Sequence, residues 1–375
     1  MTEKIAFAKP AFSNEDIEEF KRVAGEILRS GWLTSSEYTR LFEEKLASYL
    51  RVKHCPCLNS CTAALHSILR SLDIGAGDEV IVPSNTFAAT VNSVLYVGAK
   101  PILVDSDPET YNVNPNDVQE KVTSKTRAVM VVHVGGNPCD MRDIVDIARA
   151  SKACVIEDAA HALGSKYKNR MCGSIGTASA LSFYPTKIIT TGEGGAVATD
   201  DDAIAQNVSL VRNQGRPRIG PEPVLELGYN YRITELSAAL GLLQLKRIEE
   251  FVEHRNLIAR IYDDALSKIG WMKRQKIEDG NRTSYYAYIV RLTKEAPVSR
   301  DELRKILAAQ GIETSVMFVP VHKQPYFLSV APSYKRVSLP WSEFLGENSL
   351  ALPMSNSLTT DEARRVAAAS LAIGD

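Results

Sequence analysis

The sequence predicts an α/β protein: a large domain built on a mostly parallel, doubly wound sheet, followed by a smaller C-terminal α+β domain. Three observations lead there. Between Cys55 and Asp200 short apolar, β-rich runs alternate with helical stretches, the pattern of parallel crossover units. Near residue 250 the texture changes to separate strand-like and helical runs. At 375 residues the chain is too long for one small core. The expected division is residues 1–249, with an N-terminal helical arm, and residues 250–375.

Hydrophobic residues make up 45% and charged residues 24%, with a net charge of −1, the balance of an ordinary soluble globular protein. Such a chain has no long-range field of one sign, so neither nucleic acid nor an anionic membrane is expected as a partner. Any anion must be held by a local site. The start MTEKIAFAKPAF lacks the basic and apolar parts of a signal peptide, and no apolar run is long enough to span a bilayer, so a cytoplasmic protein is expected. The six cysteines form no CxxC and no zinc-type set with histidine. Only Cys55, Cys57 and Cys61 cluster; they read as free thiols, with a metal or iron–sulfur site as the alternative, and no metal is expected.

Taken in order, Ser13 is placed to cap a helix from Asn14 to Ser30, whose apolar residues Ile17, Phe20, Val23 and Ile27 recur at helical spacing. After Gly31 comes a loop with Trp32 and Thr34, either a pocket wall or a connector, and then a second helix ending near Arg51. From Cys55 the chain reads as a short strand, a turn at Ser60, Cys61 and Thr62, and a helix. That turn offers free N–H groups and hydroxyls to an anion, or merely caps the helix. Strands at Glu79–Val82 and Pro101–Asp105 flank a helix from Thr86 to Val97. Further strands are expected at Arg127–Val134, within ACVIEDAAHALGS, at Ala178–Phe183 and in AVATD, with helices at Met141–Ala150 and Asp200–Arg212. The apolar stripe Leu236, Leu240, Leu243, Leu245 and Ile248 predicts one long helix bridging the domains. Beyond it YAYIVRL and ETSVMFVP read as strands, and Arg300–Gln310 and Thr360–Leu371 as helices.

In a sheet of this kind ligands gather beyond the carboxyl ends of the strands, which puts Phe87, His133, Asp158, His161 and Lys187 on one side. Lys187 follows an apolar strand and a Ser-Phe-Tyr-Pro bend and precedes a glycine turn, so it opens toward a pocket. An amine desolvated there is a candidate Schiff-base former. Asp158 ends an apolar strand, is followed by two alanines, and should meet a cation in the crevice. Phe87 can stack on a flat ring.

These stretches carry a resemblance. SFYPTKIITTGEGGAVATD, EDAAHALGS, VPSNTFAATVNSVLYVGAKPILVD, GWLT, NPCDM and LGYNYRITELSAALGLLQL resemble the nucleotide-sugar aminotransferases, the DegT group of fold type I pyridoxal phosphate enzymes, from about residue 5 to past residue 350. The resemblance implies that Lys187 holds the cofactor covalently and then moves a proton between substrate carbon and cofactor. Asp158 would pair with the pyridine nitrogen, His161 would lie near the phenolic oxygen, and Phe87 would stack on the ring. Cys61, Thr62 and Ser182 would hold the phosphate, together with Asn230 reaching over from a second subunit, which makes the active unit a homodimer. The implied substrates are L-glutamate as amino donor and a nucleotide-linked keto-sugar, a 4-keto-6-deoxyhexose by family frequency. Thr34, Arg232 and His322 are possible substrate contacts. Departures from the family pattern are His161, where glutamine is frequent, and Gly135-Gly136, where an aromatic is frequent and whose absence is expected to widen one wall. A dehydratase on the same scaffold would carry histidine in place of Lys187; a non-catalytic regulator is the other alternative.

Overall fold

Ser13 opens the first helix, α1 (Asn14–Ser30), with a reciprocal cap: its hydroxyl accepts the Asp16 N–H at 3.1 Å and Asp16 Oδ2 accepts the Ser13 N–H at 2.9 Å. Gly31, at φ +72°, closes it. The second helix, α2 (Glu37–Leu50), has no side-chain cap of its own. The buried carboxylate of Glu235 takes that place, accepting the N–H groups of Ser36 (2.9 Å), Tyr38 (2.8 Å) and Thr39 (3.1 Å). The next two helices are α3 (Cys61–Ser71) and α4 (Ala88–Tyr96). The computed structural model describes residues 4–373; Met1–Glu3, the beginning of the segment read against a signal peptide, lie outside the described residues, as do the last two.

The strands in chain order are β1 (Cys57–Leu58), β2 (Glu79–Pro83), β3 (Lys100–Val104), β4 (Thr126–Val132), β5 (Cys154–Asp158), a small ribbon β6 (Lys166–Tyr167) and β7 (Arg170–Met171), then β8 (Ala178–Ser182), β9 (Gly195–Ala198), β10 (Met272–Arg274), β11 (Tyr288–Leu292) and β12 (Ser349–Leu352). Seven of them form the large sheet in the order β1-β9-β8-β5-β4-β2-β3. The pairs from β8 through β3 are parallel, whereas β9 runs antiparallel to both β8 and β1, so the sheet is mostly parallel, as expected. Both faces are covered. Met130 and Ile156 pack with α3 on one side, and Val129, Val131 and Val155 pack with the Met141–Ser151 helix on the other, which is why these strands read as continuous apolar runs.

Strands β10, β11 and β12 form the small antiparallel sheet, with the Ile248–Leu266, Arg300–Ala309 and Thr360–Leu371 helices packed around it. Packing crosses the expected boundary at residue 250 in several places. Ile5 joins the small-sheet core, while Val321, Phe327, Tyr334 and Leu339 pack into the core of the large sheet.

Two expectations need correction. The single long helix is two, Glu235–Lys246 and Ile248–Leu266, broken at Arg247. There the backbone N–H turns to Gln244 O (3.1 Å) and the guanidinium pairs with Asp16 (2.6 Å) and Glu250 (2.6 Å), so the break ties α1 to the second of the two helices. ETSVMFVP is not a strand. Only Ser315 pairs, with Ala351, and the segment then turns Met317 and Phe318 toward a cavity.

Candidate active site

The parallel strands end in a cavity of 590 Å³ between the two sheets. Cys61, Thr62, Phe87, Asp158, His161, Ser182 and Lys187 all line it, so seven residues picked out in the sequence meet in one place.

Lys187 lies on the loop that links β8 to β9. Phe183 closes that loop at its base: its N–H donates to Gly194 O at 2.9 Å and its carbonyl accepts the Thr191 N–H at 3.0 Å. The Lys187 N–H donates to Tyr184 O (2.9 Å), and the buried Ile188 and Ile189 anchor the next turn, so the lysine backbone is fixed while its side chain points into the cavity. Its Nζ lies 4.2 Å from the ring centroid of Tyr286.

Asp158 closes β5, and its carboxylate accepts from Thr90 Oγ1 (2.8 Å) and from the Ala160 N–H (3.2 Å). Burial pushes this carboxyl above its ordinary value, against those two bonds and the charge of Lys187. A buried acid in that condition is suited to a cationic partner. His161 is buried as well, and among the described residues its Nδ1 has no hydrogen-bond partner. Burial, with Lys187 and His133 nearby, pushes the ring well below the usual histidine range, so it is neutral. The ring stacks on Tyr286 (3.9 Å between centroids, 17° between planes) and lies nearly parallel to Phe318 at 5.9 Å.

At the other end of the cavity Ser60 caps α3, its hydroxyl accepting the Ala63 N–H at 3.1 Å. Among the described residues no acceptor takes the N–H groups of Cys61 and Thr62, which leaves an anion cradle at the helix start. Burial holds the Cys61 thiol well above its ordinary value, so it stays protonated. Gly195 of β9 runs directly under this turn. A Cβ there would lie 2.5 Å from Cys61 N and closer still to the Ser60 carbonyl carbon.

The cavity therefore presents an amine, a buried acid with no ion pair among the described residues, an imidazole nitrogen without a hydrogen bond and an anion cradle. That donor set fits pyridoxal phosphate: Lys187 for its aldehyde, Asp158 for the ring nitrogen, His161 for the phenolic oxygen, and the α3 turn with Ser182 for the phosphate. Phe87, at the mouth, is 67% exposed and free to cover a ring.

Other expected residues lie elsewhere. Thr34 Oγ1 donates to Ile233 O (3.0 Å) and Arg232 donates to Asn213 Oδ1 (3.0 Å), both outside the cavity of this protomer. Asn230 is exposed, and its carbonyl accepts from Asn59 Nδ2 at 3.2 Å. His322 is fully buried, with Nδ1 on Ser84 Oγ (2.7 Å) and Nε2 on Glu343 (3.0 Å), and has no nitrogen left to offer a substrate. His133, expected on the ligand side, instead bonds to Glu157 (3.0 Å) and to the Cys139 N–H (3.0 Å), away from the cavity. Nor do Gly135 and Gly136 widen a wall. At φ +69° and +91° they let the small domain come close, and a Cβ on Gly135 would meet Gln275 Oε1 at 2.8 Å and Ile289 Cδ1 at 2.9 Å. Sequence reasoning missed Thr90, Tyr286 and Phe318. Thr90 could have been read from the small-residue run behind Phe87; the other two reach the site only through domain packing.

Fold and site together define a pyridoxal-phosphate-dependent aminotransferase of fold type I. The family model described as the DegT/DnrJ/EryC1/StrS aminotransferase family matches residues 14–370, and the chain belongs to that family. It is 38% identical over 346 residues to a GDP-perosamine synthase of Caulobacter vibrioides, covering 92% of each chain. Among solved structures it is similar to PseC of Helicobacter pylori, an aminotransferase involved in the biosynthesis of pseudoaminic acid (TM-score 0.92, 26% identity, 99% of both chains). It is similar too to the PLP form of Spr1654 from Streptococcus pneumoniae, a putative sugar aminotransferase (TM-score 0.92, 26% identity, 99% and 98%). The chain thus stands among the sugar aminotransferases that use pyridoxal phosphate.

Proposed function

We propose that the protein moves the amino group of L-glutamate to a nucleotide-linked keto-sugar, with a 4-keto-6-deoxyhexose as the expected acceptor. The observation that carries this reading is the convergence of Lys187, Asp158 and the α3 turn on one cavity. The similarity to a GDP-perosamine synthase supports the nucleotide-linked sugar as acceptor.

Pyridoxal phosphate supplies an aldehyde to carry the amino group and a ring to take up an electron pair. The chain's residues do the rest. Lys187 would hold the cofactor covalently, would take the donor's α-proton and would later return one to the sugar carbon. Asp158 keeps a proton on the ring nitrogen, and the α3 turn orients the whole by its phosphate. His161 offers its free nitrogen to the phenolic oxygen.

The same reading includes a homodimer with shared sites. Asn230 lies outside this protomer's cavity, beside a segment whose Ile219, Val224, Leu225 and Leu227 are exposed, as expected of a surface that meets a second copy. A cytoplasmic setting goes with it: all six cysteines are free, four of them buried.

The test is a pair of half-reactions. L-Glutamate added to the yellow protein should shift the visible band to that of the amino form, and one nucleotide-linked 3-keto or 4-keto sugar from a panel should restore it. A band that glutamate never changes would refute the donor; recovery with no member of the panel would refute the acceptor class.

A further inference from the structure

We propose that Tyr286 is a positioning residue for Lys187 and His161, the means by which the small domain sets the geometry of the reacting amine. The inference rests on the function proposed above.

Tyr286 stands just before β11, in the segment that docks against the large domain. Its ring meets both groups: His161 stacks on it at 3.9 Å and Lys187 Nζ lies 4.2 Å from its centroid. The electron-rich face of a tyrosine attracts an ammonium and so favours one placement of a side chain with four rotatable bonds. The Tyr286 hydroxyl adds a bond of 3.2 Å to Thr186 Oγ1, on the residue before the lysine. One side chain thereby touches the lysine, the lysine's neighbour and the unpartnered histidine.

The Tyr286 backbone is itself held from two directions. On the large-domain side, Ser165 Oγ accepts the Ser284 N–H (2.9 Å) and donates to Gly136 O (2.6 Å), while a Cβ on Gly136 would lie 2.9 Å from Ser284 Oγ, 3.0 Å from His161 O and 3.2 Å from Tyr286 N. Only glycine permits that approach at φ +91°. On the small-domain side the buried Arg255 donates through Nη1 to the carbonyls of Tyr285 (3.0 Å) and Tyr286 (3.2 Å), and through Nε to Asn356 Oδ1 (2.6 Å). Asn356 in turn donates to the carbonyl of Ile188, the residue after Lys187 (2.8 Å). Ring and lysine loop are thus referred to one buried frame, as precise placement of a reacting group requires.

The experiment uses the full-length chain freed of cofactor and follows the rise of the visible band as the Lys187 amine condenses with the aldehyde of added pyridoxal phosphate and water leaves. Tyr286→Leu, which removes the ring, should slow this capture about tenfold or more. It should lower kcat with glutamate by a similar factor and leave the glutamate KM little changed. Tyr286→Phe, which keeps the ring, should recover most of both losses. If Tyr286→Leu does not fold, Tyr286→Met carries the same expectation. Capture by the ring-less variant at the wild-type rate would overturn the inference, as would a Phe variant as slow as the Leu variant. A wild-type chain that captures no pyridoxal phosphate would overturn the functional reading, and this inference with it; a normal wild type beside an unimpaired Leu variant overturns this inference alone.

Discussion

Glu157 and Asp158 are neighbours on β5, yet their carboxylates point to opposite faces of the sheet. Glu157 accepts from His133 Nε2 (3.0 Å) and from the N–H groups of Gly173 (2.7 Å), Ile175 (2.6 Å) and Gly176 (2.7 Å); Asp158 faces the cavity and Thr90. Burial would raise the Glu157 carboxyl, but its four donors outweigh it and hold the group below the usual carboxylate range. The Cys139 N–H points at His133 Nδ1, and Nε2 is the nitrogen that meets Glu157. One acid is thus spent on backbone N–H groups, and the other is left facing the cavity.

Substitutions should separate them. Asp158→Asn should lower kcat by about a hundredfold or more while the unfolding temperature of the cofactor-free chain stays close to wild type. Glu157→Gln should act chiefly on stability, since it weakens the grip on three backbone N–H groups at once. Steady-state kinetics beside thermal melts distinguish the two.

Gly195→Ala should weaken cofactor binding. The added methyl overlaps the backbone of Ser60 and Cys61, so α3 must move and its N–H groups leave the phosphate position. An increase of about tenfold or more in the dissociation constant for pyridoxal phosphate, followed by absorbance, is the expected result; unchanged affinity would show that the turn is not the phosphate site.

Phe87 has little to do in the cofactor-free chain, because its ring is 67% exposed. Phe87→Ala should leave the melting temperature of that chain within about a degree, yet loosen pyridoxal phosphate severalfold through lost stacking. An equal loss of stability with and without cofactor would assign the ring to packing instead.

The proposed sharing of sites between two subunits predicts complementation. Lys187→Ala and Asn230→Ala chains, each inactive or nearly so alone, should regain about a quarter of wild-type activity when refolded together, because half of the dimers are hybrid and each hybrid has one intact site. No recovery on mixing would place Asn230 outside the partner's site.

Glu343 predicts a pH effect at a distance from the chemistry. Burial pushes its carboxyl up, but His322 Nε2 (3.0 Å), Lys323 Nζ (3.0 Å) and the Leu339 N–H (3.3 Å) prevail and hold it at about 2. The folded state thus binds the proton less readily than the unfolded chain, whose ordinary value is 4.5. The resulting stability is present above that value and is lost as pH falls toward 2. Glu343→Gln should melt below wild type at pH 6, and the gap should close toward pH 2.

Much of this site is legible in the sequence for a simple reason. Lys187, Asp158, Ser182, Phe87 and the Cys61-Thr62 turn all sit at strand ends or helix starts, and a parallel sheet collects such positions on one edge. His133 misled because an alternating strand has two faces: Val132 lines the cavity and His133 turns away. Tyr286 and Phe318 were hidden because their approach depends on how two domains meet, and the local signal for that meeting was a pair of glycines. Gly135-Gly136 looked like a missing ring when it is a seat for the small domain. The break at Arg247 was hidden in the same way, since the ion pair with Asp16 is 231 residues removed in sequence.

The pairing of Ile5 with Ile312, reinforced by the Phe7 N–H on Glu313 Oε2 some 306 residues away, has a bearing on how the chain is born. Synthesis at 5–20 residues per second keeps the N-terminal arm waiting for about 15 to 60 s before its partner leaves the ribosome. The strands of the large sheet have all emerged once Ala198 is out, with Lys187 already among them. From that point until Tyr286 emerges, the nascent protein owns its lysine and its anion cradle but not Tyr286, Phe318 or the paired arm, and the side of the cavity that they form is the last to be completed.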